Sequence, residues 1–300
     1  MTIKGLHTPV LFIIFNRPDT TRLVFEAIRR VRPARLYIAA DGPRQHVESD
    51  ATLCGQARSI QDSVDWDCEV KKLFRTENLG PDRGVSSAID WFFENETQGM
   101  ILEDDCLPEE SFFLYCQELL ERYKDDNRVM HISGSNFLSN WSYEEEYSYY
   151  FSRNAHIRGW ATWRRAWKFN CFDPNLYEAI RQDGFFNAYF ASRSEKLSWF
   201  RIFDGLASNP DKQALWVYRW DFSRFIQSGL SVIPRNNLVS DLTSEPGKMY
   251  DIHNMARLSA PISHPPFIIR NMEADKRYFS TVVRRRGAPR LNVHEPSLLL

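Results

Sequence analysis

The feature that most constrains this chain is an alternation of short, wholly apolar runs with amphipathic stretches across the first 135 residues. Val10 to Phe15 is a continuous apolar run, as expected of a strand covered on both faces. Leu23, Val24, Ala27, Ile28 and Val31 then share one helical face, with Asp19 or Thr20 placed to cap it and Pro33 to end it. Leu36 to Ala40 is a second strand, closed by the turn Asp41-Gly42-Pro43. A polar helix is predicted around 51–60, a third strand over Glu69 to Phe74, and a loop at Asn78-Leu79-Gly80-Pro81. Val85, Ala88, Ile89, Phe92 and Phe93 form the next helical stripe. Gly99 opens a fourth strand through Met100, Ile101 and Leu102, which runs into Glu103-Asp104-Asp105. Phe112, Phe113, Cys116, Leu119, Leu120 and Tyr123 mark another helix, and Val129 to Ile132 a fifth strand. Repeated units of this kind predict an α/β fold, a mostly parallel sheet with helices on both faces.

From about residue 136 the alternation fails, and Tyr, Trp, Arg and Asn dominate. We read this stretch as an irregular, aromatic-rich half packed on the same sheet. Its rings serve either as core or as flat platforms for a sugar. The formal net charge of −1 supplies no global field to recruit nucleic acid. No segment reaches the roughly 18–20 apolar residues of a membrane span, and the N-terminus lacks a small-residue cleavage site. The five cysteines, Cys54, Cys68, Cys106, Cys116 and Cys171, are dispersed with no Cys-x-x-Cys pair, which reads as reduced thiols in a cytoplasmic protein. The basic tail, Lys276 to Arg290, reads as a solvated end or as a peripheral contact with the anionic inner face of a membrane.

In open parallel sheets, ligands bind beyond the carboxyl ends of the strands. Asn16 and Arg17 follow the first strand, Asp41 the second, Asn78 and Gly80 the third, and Glu103, Asp104 and Asp105 the fourth. Polar residues at four strand ends thus converge on one rim. The chain holds its own control: Glu144-Glu145-Glu146 sits among tyrosines with no apolar strand before it and reads as a solvated loop. Glu103-Asp104-Asp105 instead follows a buried strand directly, where charge is costly unless it holds a cation or faces a cleft. Carboxylates suit Mn²⁺ or Mg²⁺, ions that prefer oxygen ligands and can bridge the phosphates of a nucleotide-diphosphate sugar. Strand alternation separates Asp104 from Glu103 and Asp105, so one acid can take the metal while another accepts a ribose hydroxyl. Arg17 is a candidate phosphate partner, or a surface cap.

With those residues in place, the chain resembles GT-A (Rossmann-like) glycosyltransferases of the N-acetylglucosaminyltransferase I type and the bacterial nucleotide-diphospho-sugar transferases similar to it. The likeness runs in order over residues 9–255. It rests on Pro9 to Arg17, Leu36 to Gly42, Met100 to Asp105 with Pro108 and Phe112-Phe113, Ile132 to Asn136, Arg158 to Trp163, and Trp220-Asp221. It implies a single domain with a nucleotide-sugar-binding half (1–135), an acceptor half (136–255) and a C-terminal tail (256–300). By the same likeness Asp105 binds the metal, with His253 as a further ligand or phosphate contact, while Glu103 and Asp104 hold ribose or metal-bound water. Asp41 contacts the base of a UDP-sugar, and Asn16, Arg17 and Asn78 line the donor site. Trp160 and Trp163 meet the glycan or glycolipid acceptor, and Asp221 deprotonates its hydroxyl with inversion. Phe222 follows Trp220-Asp221 where the family has a second Asp, and the Phe-Gly that usually precedes the histidine is missing before His253. Asp221 is also spaced to pair with Arg224, one helical turn on.

Two other readings stay open. A sugar nucleotidyltransferase uses a similar sheet and metal, but that class carries a Gly-rich basic loop after its first strand, where this chain has only Asn16-Arg17-Pro18. A non-catalytic sugar-binding or scaffold protein on a degenerate form of the fold is the third. The intact acidic triplet counts against it.

Overall fold

The computed structural model describes residues 5–138, 141, 147–208, 216–243 and 255–284. The elements in chain order are β1 (Val10–Ile14), α1 (Pro18–Val31), β2 (Arg35–Ala40), α2 (Asp50–Arg58), β3 (Glu69–Phe74), α3 (Gly80–Asn95), β4 (Gln98–Glu103), β5 (Cys106–Pro108), α4 (Glu110–Arg122) and β6 (Val129–Ser133). They continue with β7 (Tyr149–Ser152), β8 (Trp160–Trp163), α5 (Arg164–Trp167), α6 (Pro174–Gln182), α7 (Arg193–Ser208), α8 (Trp216–Ile226), β9 (Leu230–Pro234), β10 (Val239–Asp241) and α9 (Met272–Tyr278). None of the described helices is long and apolar enough to cross a membrane. His253, Glu144 to Glu146 and the tail beyond Arg284 lie outside the described residues.

Eight strands form one sheet in the order β3-β2-β1-β4-β8-β6-β9-β7. Strands β1 to β4, β6 and β9 share one direction, while β8 and β7 run against it. The alternation of β1 explains its unbroken apolar sequence. Val10, Phe12 and Ile14 pack with α1 and α4 residues on one face, and Leu11 and Ile13 with Val85, Ile89 and Phe92 of α3 on the other. Helix α1 begins at Pro18 itself, a residue whose fixed φ and missing N–H suit the first helical position, so no Asp19 or Thr20 cap is used.

The aromatic half is more regular than its sequence suggests. It supplies β7, β8 and β9 to the main sheet, and β8 is inserted between β4 and β6. Strands such as Tyr-Tyr-Phe-Ser and Trp-Ala-Thr-Trp are buried at every position, which erases the polar–apolar alternation that marks a strand. A separate aromatic cluster, including Tyr177, Phe186, Trp199, Phe203, Phe222 and Phe225, joins α6, α7 and α8.

The turn into β8 depends on two glycines. Gly159 has φ +58°, and a Cβ there would stand 2.8 Å from Val239 Cγ2 and 3.1 Å from Leu102 Cδ2. Its carbonyl accepts from Gly134 N at 2.7 Å, and a Cβ on Gly134 would stand 2.6 Å from that oxygen. The end of β6, the start of β8 and β10 are therefore packed backbone to backbone just beside the acidic end of β4. Gly159→Ala should lower stability by about 1–3 kcal/mol through overpacking and the left-handed φ. The urea midpoint of unfolding measures this, and an unchanged midpoint would show that the turn relaxes freely.

Candidate active site at the end of strand β4

Parallel pairing of Ile13 with Glu103 brings the end of β1 beside the end of β4. The chain leaving β1 reaches Arg17, whose guanidinium meets Asp104 Oδ1 at 2.5 Å and Asp105 Oδ2 at 3.2 Å. Asp104 Oδ2 also accepts from Phe15 N at 3.1 Å. From the opposite side, the residue before Gly159 points a second guanidinium into the cluster. Arg158 lies 3.3 Å from Asp105 Oδ2 and 2.6 Å from Asp241 Oδ2, so one side chain bridges the ends of β4 and β10. Asp241 Oδ1 is held by Thr243 N and Oγ1, both at 2.8 Å. Asp105 Oδ1 accepts from Cys106 Sγ at 3.3 Å.

Four carboxylates, Glu103, Asp104, Asp105 and Asp241, thus face two guanidiniums. All four acids are buried, and the Arg17 side chain, one-third exposed, is the member open to solvent. The Glu103 carboxylate makes no hydrogen bond or ion pair with a described residue. Burial, then the charge of Asp105, pushes Glu103 up to about 8 against the pull of Arg158. Burial pushes Asp104 up to about 6, partly offset by Arg17. Both arginines are held above the ordinary guanidinium value: burial alone would lower them, and the acids more than offset it.

The donor set suits a hard divalent cation. It is made of oxygens, it has two more acids than bases when fully ionised, and the Glu103 carboxylate lacks a hydrogen-bond partner among the described residues. No group of three or more His, Cys, Asp or Glu side chains converges on one point among those residues. An ion here would complete its shell on water and phosphate, as Mg²⁺ commonly does.

The other residues singled out from sequence divide into those the rim holds and those it does not. Asp41 accepts from Leu79 N at 2.9 Å and Gly80 N at 3.0 Å, so its carboxylate secures the start of α3. Asn78 Nδ2 donates to Gly42 O at 2.7 Å and ties the same two loops together. Asn16 Nδ2 donates to Asp50 Oδ1 at 2.8 Å, and Asp50 is clasped by Arg44 through Nε at 2.6 Å and Nη2 at 2.9 Å. The Arg44 hydrogen bonds bring Asp50 down to about 2.

Trp160 and Trp163, expected at an acceptor, are core residues instead. Trp160 is 1% exposed and stacks on His131, with centroids 4.9 Å apart. Trp163 is 2% exposed and donates its indole N–H to Leu120 O. Strand β8 is paired on both edges, by β4 and β6, and all four of its residues are buried. What the Arg158-Gly159-Trp160 segment brings to the rim is the arginine. Asp221 is not joined to the acidic cluster either. It pairs with Arg224, which also donates to Arg153 O at 2.6 Å and Ser231 Oγ at 2.9 Å. Ser231 lies near the start of β9, toward the end of the sheet opposite the rim.

Sequence reasoning missed Arg158 and Asp241 as partners, and also Arg44 and Asp50. A signal existed only for Arg158, which directly precedes the Gly-Trp pair.

No family model matches the chain, and no curated protein matches it. Among solved structures it overlaps a mannosyltransferase from Pyrobaculum calidifontis in complex with GDP-Man and Mn²⁺, at 12% identity over 53% of this chain and TM-score 0.35. The matched stretch spans only 45% of that enzyme's length. A UDP-glucose pyrophosphorylase complexed with UDP-glucose overlaps at 10% identity, 54% of this chain, 78% of that chain and TM-score 0.33. HddC from Yersinia pseudotuberculosis does so at 11%, 53%, 77% and 0.31. Likenesses this partial say nothing of substrate.

Two outcomes follow from the geometry. Glu103 has a folded-state value near 8 against an ordinary 4.5, so its protonated form is favoured by folding. Its contribution to stability is full below about 4.5 and is lost as pH rises toward 8. Glu103→Gln should flatten that fall in a series of denaturant melts at different pH values, and an unchanged slope would remove Glu103 as its source. Asp221→Asn should cost about 3 kcal/mol, because it leaves the buried Arg224 charge without its counter-ion. Chemical denaturation reads this directly.

Proposed function

We propose that this chain is a glycosyltransferase that binds a nucleotide-diphosphate sugar, of the UDP-sugar type, at the carboxyl rim around β1 and β4. The observation that carries this reading is the cluster of four buried carboxylates and two guanidiniums at the end of β4, with Arg17 as its exposed member. Arg17 is within a side-chain rotation of solvent and is suited to the donor diphosphate by charge-assisted hydrogen bonds. Glu103 and Asp104 offer acceptors for ribose hydroxyls or metal-bound water. Asp105 would hold Mn²⁺ or Mg²⁺. The chemistry such an ion supplies is stabilisation of negative charge on the leaving diphosphate. Asp41 and Asn78 shape the wall on the β2–β3 side through their bonds to the α3 loop.

In the transfer, an acceptor hydroxyl oxygen of a glycan or glycolipid bonds to the anomeric carbon. The bond from that carbon to the diphosphate oxygen breaks, and its electron pair leaves with the nucleotide. The hydroxyl proton passes to a base. The family likeness assigns this to Asp221 with inversion, but Asp221 pairs with Arg224 toward the end of the sheet opposite the rim, so the proton is not assigned to it here.

The test is a panel of nucleotide-sugars with and without Mn²⁺, read by thermal shift and by release of free nucleotide. A donor that binds the native state alone raises the melting temperature by mass action. Wild type should respond to one donor more strongly with metal, and Asp105→Ala should lose at least about 100-fold in turnover, in line with removal of a group that stabilises the leaving charge. Undiminished turnover in Asp105→Ala would sink the assignment. Pyrophosphate released from a nucleoside triphosphate and a sugar phosphate would favour the nucleotidyltransferase instead. Binding with no turnover of any donor would favour the scaffold.

A further inference from the structure

Arg158 is a single guanidinium shared by two carboxylates on different strands. It is 3.3 Å from Asp105 on the connection leaving β4 and 2.6 Å from Asp241 at the end of β10. Its side chain is 11% exposed and the two acids about 1%, so water screens little of this attraction. The backbone that aims it is fixed on both sides: Gly159 is pressed against Val239 of β10, and its carbonyl is bound by Gly134. Leu242 N, next to Asp241, donates to Asp105 O at 2.8 Å, which ties the same two segments again through the backbone. Beside this arrangement, Glu103 is 8% exposed, has no hydrogen-bond partner among the described residues, and lies within electrostatic reach of both Asp105 and Arg158. The acids therefore form an oxygen-rich site in which a protein cation already occupies the space between Asp105 and Asp241.

We infer that Arg158 is a positioning residue that acts as a built-in counter-ion, holding Asp105 and Asp241 together and setting how strongly this site takes a divalent cation. The inference rests on the donor-site reading for its biological meaning, but not for its test. Two neighbouring substitutions should act in opposite directions. Arg158→Met removes a positive charge from between two buried carboxylates and opens their oxygens to an ion. Asp241→Asn keeps the acceptor for Thr243 but cuts one arm of Arg158, leaving its full charge to Asp105. The electrostatics of a buried site then favours the cation in the first variant and opposes it in the second.

The experiment is Mn²⁺ titration of the full chain without nucleotide, by calorimetry and by thermal shift. Arg158→Met should melt lower than wild type in chelator, gain more from Mn²⁺, and bind it about tenfold more tightly, the change expected when a close like charge is removed. Asp241→Asn should bind Mn²⁺ more weakly than wild type. A purely structural arginine would lower the melting temperature of Arg158→Met and leave its Mn²⁺ affinity at the wild-type value. Equal Mn²⁺ affinity in all three proteins, or a shift of the same sign in both variants, overturns the inference. If Arg158→Met gives no cooperative melt, Arg158→Gln, which keeps N–H donors and removes the charge, takes its place: tighter Mn²⁺ binding supports the inference, unchanged or weaker binding overturns it. A wild type that responds to no nucleotide-sugar removes the glycosyltransferase reading and leaves this comparison intact.

Discussion

The structure turns on the neutralisation of four carboxylates gathered where a buried strand ends. Left alone, Glu103, Asp104, Asp105 and Asp241 would repel one another in a region with little water to screen them. Two arginines make the gathering tolerable, and they come from distant parts of the chain. Arg17 follows β1, and Arg158 precedes β8. The sheet order is what delivers them, since β1 flanks β4 on one side and β8 flanks it on the other. Glu103, which burial and the charge of Asp105 favour in its protonated form, is the acid at the rim that an arriving cation would ionise.

The rest of the rim is built by polar side chains spent on the loops themselves. Asp41 secures the start of α3, Asn78 joins that loop to Gly42, and Asn16 reaches Asp50. Each bond satisfies groups at strand or helix ends that would otherwise lack a partner. Preorganisation of this kind fixes the loops of the rim before any ligand arrives. It also leaves Arg17, the exposed partner of Asp104 and Asp105, as the group most available to an incoming anion.

Much of the first half could be read from sequence because its physics is local. β1, β2 and β4 are covered on both faces and appear as pure apolar runs, and β3 was found over the same residues, Glu69–Phe74. The acidic triplet stood out because β4 ended on it. The second half was opaque for a definite reason. A four-residue strand of Trp and Tyr, buried at every position, has no period to detect. The same burial turned Trp160 and Trp163 from candidate acceptor contacts into core. Arg158 and Asp241 meet Asp105 only through the pairing of β10 with β5 and the insertion of β8 beside β4, contacts that no sequence spacing encodes.

The place of β8 also governs the order in which the sheet can be completed. β4 is made early in the chain, but its second neighbour is a strand some sixty residues later, and β6 waits about a hundred residues for β9. Until residues 160–163 arrive, the apolar edge of β4 has no partner, and an exposed edge of that kind is an invitation to pair with another chain. Non-local closure of this type is slow relative to local helix formation. A nascent chain halted before β8 would hold the acidic triplet without Arg158 and the sheet without its keystone. The step that seals the edge against aggregation is therefore the same step that completes the charge balance of the site.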